Sequence, residues 1–164
     1  MEMGSQKLER KIIDREKAAK IGSEMREAGE ALVFTNGCFD LIHPGHVDLL
    51  IKARMKGDRL MVGLNSDESV KRLKGPSRPI LDQRSRSLML AALEVVDWVV
   101  IFDEDTPLEL ITAVKPMMLV KGADYKADDV VGKDVVEAAG GRVELIPISV
   151  VISTSTILEK LSMD

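Results

Sequence analysis

Short apolar runs alternate along this chain with segments whose apolar residues recur at helical spacing. Ala31-Leu32-Val33-Phe34-Thr35 has the length and composition of a buried strand, and residues 47–55 just after it carry their apolar side chains three and four apart. The alternation continues to the end. Strands are expected over 59–64, 95–102, 117–120 and 142–148, with helices over 14–28, 68–73, 82–93, from Thr106-Pro107 onward, over 133–139 and over 153–161. Asp14 and Asp82 suit N-caps, Gly29 a helix stop, and Pro107 a first helical turn. Lys74-Gly75-Pro76-Ser77-Arg78-Pro79 is too rich in Gly and Pro for a regular element. Strands this short and apolar, each followed by a helix, predict a parallel sheet covered on both faces. The expected fold is α/β: a Rossmann-like, three-layer α/β/α domain over 11–164, with a five-stranded, mostly parallel sheet, after a flexible N-terminus at 1–10.

In such sheets ligands bind beyond the C-terminal ends of the strands. The polar residues gather there. After the first long strand comes Asn36-Gly37-Cys38-Phe39-Asp40-Leu41-Ile42-His43-Pro44-Gly45-His46, which joins strand to helix and holds both histidines of the chain. A helix N-terminus exposes free N–H groups and about half a positive charge, so it attracts phosphate. Asn65-Ser66-Asp67, Lys121-Gly122-Ala123-Asp124-Tyr125 and Ser153-Thr154-Ser155 fall on the same rim.

Composition narrows the function classes. At 164 residues with 45% hydrophobic content the chain can bury a core, and a net charge of −4 argues against a nucleic-acid binder. One cysteine, Cys38, rules out an intrachain disulfide and a four-thiolate metal site, and suits a reducing compartment. The polar start has no signal-peptide core, and no apolar stretch approaches the roughly 18 residues needed to cross a bilayer. A cytoplasmic protein without membrane contact is expected. Neither a P-loop nor a GxGxxG fingerprint is present, which leaves kinase and dehydrogenase readings with little support.

His43-Pro44-Gly45-His46 after a strand resembles the HxGH signature of the cytidylyltransferase-like nucleotidyltransferases, and Ser153-Thr154-Ser155-Thr156-Ile157 resembles that family's Ser/Thr cluster at the start of its last helix. Within the family the likeness is strongest to the D-glycero-β-D-manno-heptose 1-phosphate adenylyltransferases, through residues 35–40, 65–67, 74–79, 91–100 and 119–125. The resemblance implies transfer of AMP from ATP to a sugar 1-phosphate, giving ADP-heptose and pyrophosphate for the lipopolysaccharide core. It also implies Mg²⁺ carried by ATP, a homo-oligomer, and a heptose kinase supplied as a separate protein. Val150 and Val151 stand where relatives carry an acidic residue and a glycine, Leu158 where the cytidylyltransferase branch has Arg, and Ala123 where heptose relatives often have Gly. The HPGH form also occurs in FAD synthetases. The alternatives are thus a glycerol-3-phosphate cytidylyltransferase or FAD synthetase type of enzyme, or a catalytically silent nucleotide-binding regulator.

The chemistry assigns roles. A phosphate monoester is mostly dianionic at pH 7, so the acceptor needs no general base; it needs positioning and positive charge on the phosphoryl oxygens. His43 and His46 project from one helix face and are expected to donate to the triphosphate, protonated beside its charge; surface or zinc-binding histidines are the bland alternative. Lys121 is the third catalytic candidate. Asn36, Gly37, Cys38 and Phe39 form a turn that can contact base or phosphate, or simply pack; Asp40 fixes the turn or orients a histidine or ribose. Pro44 fits the first helical turn, and Gly45 admits a close approach of backbone to ligand. Ser153, Thr154 and Ser155 supply hydroxyls and N–H groups, and Asp124 an acceptor for ribose or base amine. Lys74 lies on a loop expected to close as a lid over phosphates, with Arg84 on the helix behind it.

Overall fold

The computed structural model describes residues 2–150 and 152–162. Val151, whose place before the Ser/Thr cluster distinguishes this chain from its relatives, lies outside the described residues. The elements in chain order are α1 (Glu2–Glu9), β1 (Ile12–Ile13), α2 (Arg15–Glu27), β2 (Leu32–Gly37), α3 (Pro44–Arg54), β3 (Arg59–Asn65), α4 (Asp67–Lys74) and α5 (Gln83–Ala92). They continue with β4 (Trp98–Phe102), α6 (Leu108–Val114), β5 (Met118–Gly122), a single 3₁₀ turn, α7 (Lys133–Ala138), β6 (Arg142–Ile146) and α8 (Thr154–Leu161). Asp14 and Asp82 cap their helices as expected, accepting from Lys17 N at 2.8 Å and Ser85 N at 2.7 Å. A helix occupies most of the stretch read as a flexible N-terminus.

The sheet has six strands rather than five, in the order β1-β4-β3-β2-β5-β6, and every pairing is parallel. The additional strand is β1, whose Ile12 and Ile13 pair with Val99 and Val100. Two residues between Lys11 and Asp14 are too few to show a strand period, so only the tertiary partner reveals them. Successive strand residues face opposite sides and build two cores. Phe34, Met61, Val100 and Leu119 pack under α2, α6 and α7, while Val33, Leu60, Val62, Val99 and Val120 pack under α3 and α5. Burial on both faces explains why the strands read as continuous apolar runs. Among the described residues no helix is long and apolar enough to cross a membrane.

Candidate active site

The strand order reverses between β2 and β5, and there the sheet opens. Strand β2 pairs with β3 over six residues but with β5 only through Val33–Met118 and Phe34–Leu119. Beyond that point side chains bridge the gap: Thr35 Oγ1 donates to Val120 O at 2.9 Å, and Lys121 Nζ to Asn36 O at 3.4 Å. A crevice outside the strand ends at such a reversal is the usual ligand site of open α/β sheets. The 36–46 segment leaves the sheet at this crevice.

His43 is the N-cap of α3, with extended backbone, and Pro44 takes the first helical position, where its missing N–H is not needed. The imidazole does the capping: Nδ1 accepts from Gly45 N at 3.2 Å and His46 N at 3.4 Å. An accepting Nδ1 places the neutral ring's proton on Nε2, which fixes the tautomer as a donor. The two imidazoles stack at 3.7 Å between centroids, and Phe39 lies 5.1 Å from His46. Burial lowers the His43 pKa, and burial together with the neighbouring His43 pushes His46 down to about 4. The pair is therefore neutral without a ligand, and the protonated state expected beside a triphosphate requires the anion to arrive first. A Cβ at Gly45 would sit 3.0 Å from His43 Cε1 and 3.1 Å from Val150 O, so glycine is what lets the turn close on the ring.

His43 and His46 open onto a cavity of about 560 Å³ that Lys74, Asp124 and Ser153, Thr154 and Ser155 also line. Ser153 caps α8, its Oγ accepting from Thr156 N at 3.1 Å, which leaves Thr154 and Ser155 in the first turn with their own N–H groups. The histidine motif and the Ser/Thr cluster, over a hundred residues apart in sequence, thus face one space. Of the basic residues between 71 and 86, Lys71, Arg72, Arg78, Arg84 and Arg86 are ion-paired, and Lys74 alone makes no ion pair among the described residues. Its ammonium is the one available for a ligand's phosphate.

Several expected residues lie elsewhere. Arg84 points away and pairs with Glu9 at 2.8 Å on α1. Asp40 is buried and structural: it accepts from Ile80 N at 2.8 Å, Leu81 N at 3.1 Å and Arg78 Nε at 2.6 Å, and these donors hold its carboxyl below the usual range despite burial. The loop after Lys74 is thereby tied down at its Arg78–Leu81 end. Phe39 has φ 45° and its side chain is buried in the core beneath α3. Asn36, Gly37, Cys38 and Lys121 border a second cavity, of about 400 Å³, on the other side of the rim.

Two residues escaped the sequence reading. Tyr125 borders both cavities and lies 5.3 Å from the Lys121 ammonium; as the only tyrosine, inside a stretch already singled out, it was there to be found. Arg86 is fully buried and ties two strand-end segments together, donating to Cys38 O at 2.7 Å after β2 and to Asn65 O at 2.8 Å and Asp67 Oδ1 at 2.7 Å at the end of β3. Nothing in an arginine-rich helix marks which arginine turns inward. Among the described residues no group of three or more His, Cys, Asp and Glu is placed to hold a metal. Among the described residues Asp124 is the only carboxylate bordering the first cavity, a donor set suited to an ion held mainly by phosphate oxygens.

Comparison with known proteins places this geometry. The model of the Cytidylyltransferase-like family matches residues 34–160, a span that holds both motifs. The chain is 57% identical over 150 residues to the bifunctional protein HldE of Trichlorobacter lovleyi, covering 92% of this chain and 30% of that protein. It is 55% identical over 150 residues to HldE of Mesorhizobium japonicum, with the same shares covered. The chain thus spans less than a third of the length of these relatives. Among solved structures, the lipopolysaccharide core biosynthesis protein from Thermoplasma volcanium superimposes with a TM-score of 0.60 at 31% identity, over 74% of this chain and 98% of that one. Pantoate-beta-alanine ligase from Francisella tularensis, at a TM-score of 0.54 and 15% identity over 83% of this chain and 66% of that one, shares the fold alone. On its family match, its relatives and its paired motifs, the chain belongs to the cytidylyltransferase-like family.

Proposed function

We propose that residues 11–164 form a nucleotidyltransferase domain that transfers AMP from ATP to D-glycero-β-D-manno-heptose 1-phosphate, giving ADP-heptose and pyrophosphate for lipopolysaccharide synthesis. The observation that carries this reading is the convergence of His43 and His46 with the N-terminus of α8 on one cavity beside an unpaired Lys74. The choice of acceptor is supported by the 57% identity to a bifunctional HldE over 92% of the chain.

An oxygen of the acceptor phosphate forms a bond to the α-phosphorus, the bond from that phosphorus to the bridging oxygen breaks, and pyrophosphate leaves with the electron pair. The dianionic acceptor has no proton to lose, so no side chain acts as a base. The imidazole Nε2–H groups, the first-turn N–H groups of α8 and the Lys74 ammonium stabilise charge as it moves onto the bridging and non-bridging oxygens. Mg²⁺ carried by ATP would neutralise part of the charge on the leaving pyrophosphate, with Asp124 the carboxylate beside it.

The test is pyrophosphate release with purified protein. ATP with heptose 1-phosphate is expected to turn over at least tenfold faster than CTP with the same acceptor, or than ATP with glycerol 3-phosphate or FMN. Preference for CTP, or for either other acceptor, would replace the substrate assignment. Tight ATP binding with no pyrophosphate from any pair would make the protein a regulator.

A further inference from the structure

We infer that Asp48 and Lys52 on α3 are positioning residues for nucleotide binding. Together they clamp the β6–α8 connection to the histidine helix, and so set where Ser153, Thr154 and Ser155 stand relative to His43 and His46. This rests on the nucleotidyl-transfer reading and adds what holds its two motifs in register.

Three observations carry it. First, α8 does little to fix its own place. None of its residues is buried, and the bond that caps it, from Thr156 N to Ser153 Oγ, is internal to the helix. Strand β6 ends at Ile146, and Pro147 to Val150 beyond it are all exposed. Second, α3 grips that exposed link. Asp48 Oδ2 accepts from Ser149 N at 2.8 Å and from Lys52 Nζ at 2.7 Å. Lys52 Nζ donates further to Pro147 O at 2.8 Å and to Ser149 Oγ at 2.6 Å. An ammonium has three N–H donors, and all three are used. An ordinary acid–base pair four apart on a helix stabilises that helix by a few tenths of a kcal/mol and does no more. This one reaches 95–101 residues along the chain to hold backbone groups of another segment, with its Lys and Asp side chains only 29% and 21% exposed.

Third, the clamped link is a wall of the nucleotide cavity. Ile148, Val150 and Ile152 line it beside the histidines and the Ser/Thr cluster, while neither Asp48 nor Lys52 borders it. Val150 O lies against the histidine turn, 3.1 Å from where a Cβ on Gly45 would sit. Asp48 is two residues beyond His46, on a helix anchored by fully buried Leu50 and Ala53. The clamp thus passes the fixed position of α3 to a segment with little packing of its own. Released from it, the Ser/Thr cluster occupies its binding position for only part of the time, and apparent affinity falls by that fraction.

The experiment measures the Kd for α,β-methylene-ATP with Mg²⁺ by calorimetry, alongside hydrogen exchange followed by mass spectrometry, so it does not depend on turnover. Asp48→Ala removes the acceptor of Ser149 N and releases Lys52. It is expected to weaken nucleotide binding about tenfold and to speed exchange in peptides from 147–162, while those of α3 and the sheet stay unchanged. Lys52→Arg keeps a cation with several donors and should bind within about threefold of the wild type. The decisive variant exchanges the charges. Asp48→Lys with Lys52→Asp restores an ion pair four apart on the helix but leaves Ser149 N without its acceptor, so it should bind nucleotide as weakly as Asp48→Ala. Recovered affinity in the exchanged variant would reduce the pair to an ordinary helix contact and overturn the inference. So would an unaltered Kd in Asp48→Ala, or faster exchange spread over the whole fold. These outcomes leave pyrophosphate release by the wild type, and so the nucleotidyl-transfer reading, standing. Weakened binding in Asp48→Ala with no pyrophosphate from the wild type would retain the clamp and overturn the reaction.

Discussion

Two helix N-termini face the nucleotide cavity, and they are built differently. Helix α3 is sunk into the molecule: Leu50 and Ala53 are fully buried beneath it, His43 is itself buried, and the loop leading into it is clamped by Arg86 and Asp40. Helix α8 has no buried residue, and its cap, Ser153, is exposed. Helix α8 presents the free N–H groups of Thr154 and Ser155, whereas α3 presents the His43 ring, because Pro44 has no N–H and Gly45 N and His46 N donate to His43 Nδ1; α3 is held by the core, while α8 has no buried residue. On the proposed function, the group assigned to transition-state stabilisation is preorganised, and the group assigned to receive the nucleotide is the exposed one.

The largest effect is expected on the rigid side. Arg86→Met leaves Asp67 without its partner and two strand-end carbonyls without a donor, and should destabilise the protein by about 3–5 kcal/mol in urea unfolding. A loss under about 1 kcal/mol would show that the clamp is unimportant. Next comes chemistry without folding. His43→Asn retains a good N-cap acceptor but removes the imidazole, so stability should change little while kcat falls roughly 10²–10³-fold. Equal losses from stability and turnover would mean that the ring serves only as a cap.

The histidine pair also has a pH signature. Because burial holds the folded His46 near 4, below the ordinary value of 6.5, the folded state binds fewer protons than the unfolded chain. Its contribution to stability is complete above about pH 6.5 and is lost as pH falls toward 4. The melting temperature of the ligand-free protein should therefore drop more steeply between pH 6.5 and 4.5 than that of His46→Gln, and parallel curves would refute the neutral, buried pair. The smallest effect belongs to the exposed side. Ser153→Ala removes about 1 kcal/mol of capping from a helix with no buried residue, so the global melt should hardly move, while the KM for ATP rises about fivefold.

The same contrast explains what the sequence disclosed. The order of strands and helices, the caps at Asp14 and Asp82 and the helix start at His43-Pro44 follow from local rules, and each stands in the structure where the pattern put it. What local pattern missed is set by partners distant in sequence. Two-residue β1 is a strand only because β4 lies beside it. Arg84 and Arg86 differ by half a turn of helix, enough to send one to Glu9 on the surface and the other beneath the rim. Asp40 was open between fixing the turn and orienting a ligand or histidine, and what decides it is its acceptance from Arg78, Ile80 and Leu81, about forty residues on. Lys121 was found because strand ends mark the rim, yet its burial emerges only when β2 and β5 part.

A crystal structure with Mg²⁺ and α,β-methylene-ATP examines the nucleotide site most directly. The triphosphate should lie within about 3 Å of Nε2 of both His43 and His46 and of the first-turn N–H groups of α8. A triphosphate seated against Lys121, with both imidazoles out of reach, would contradict the assignment of the nucleotide cavity and of the histidines' role.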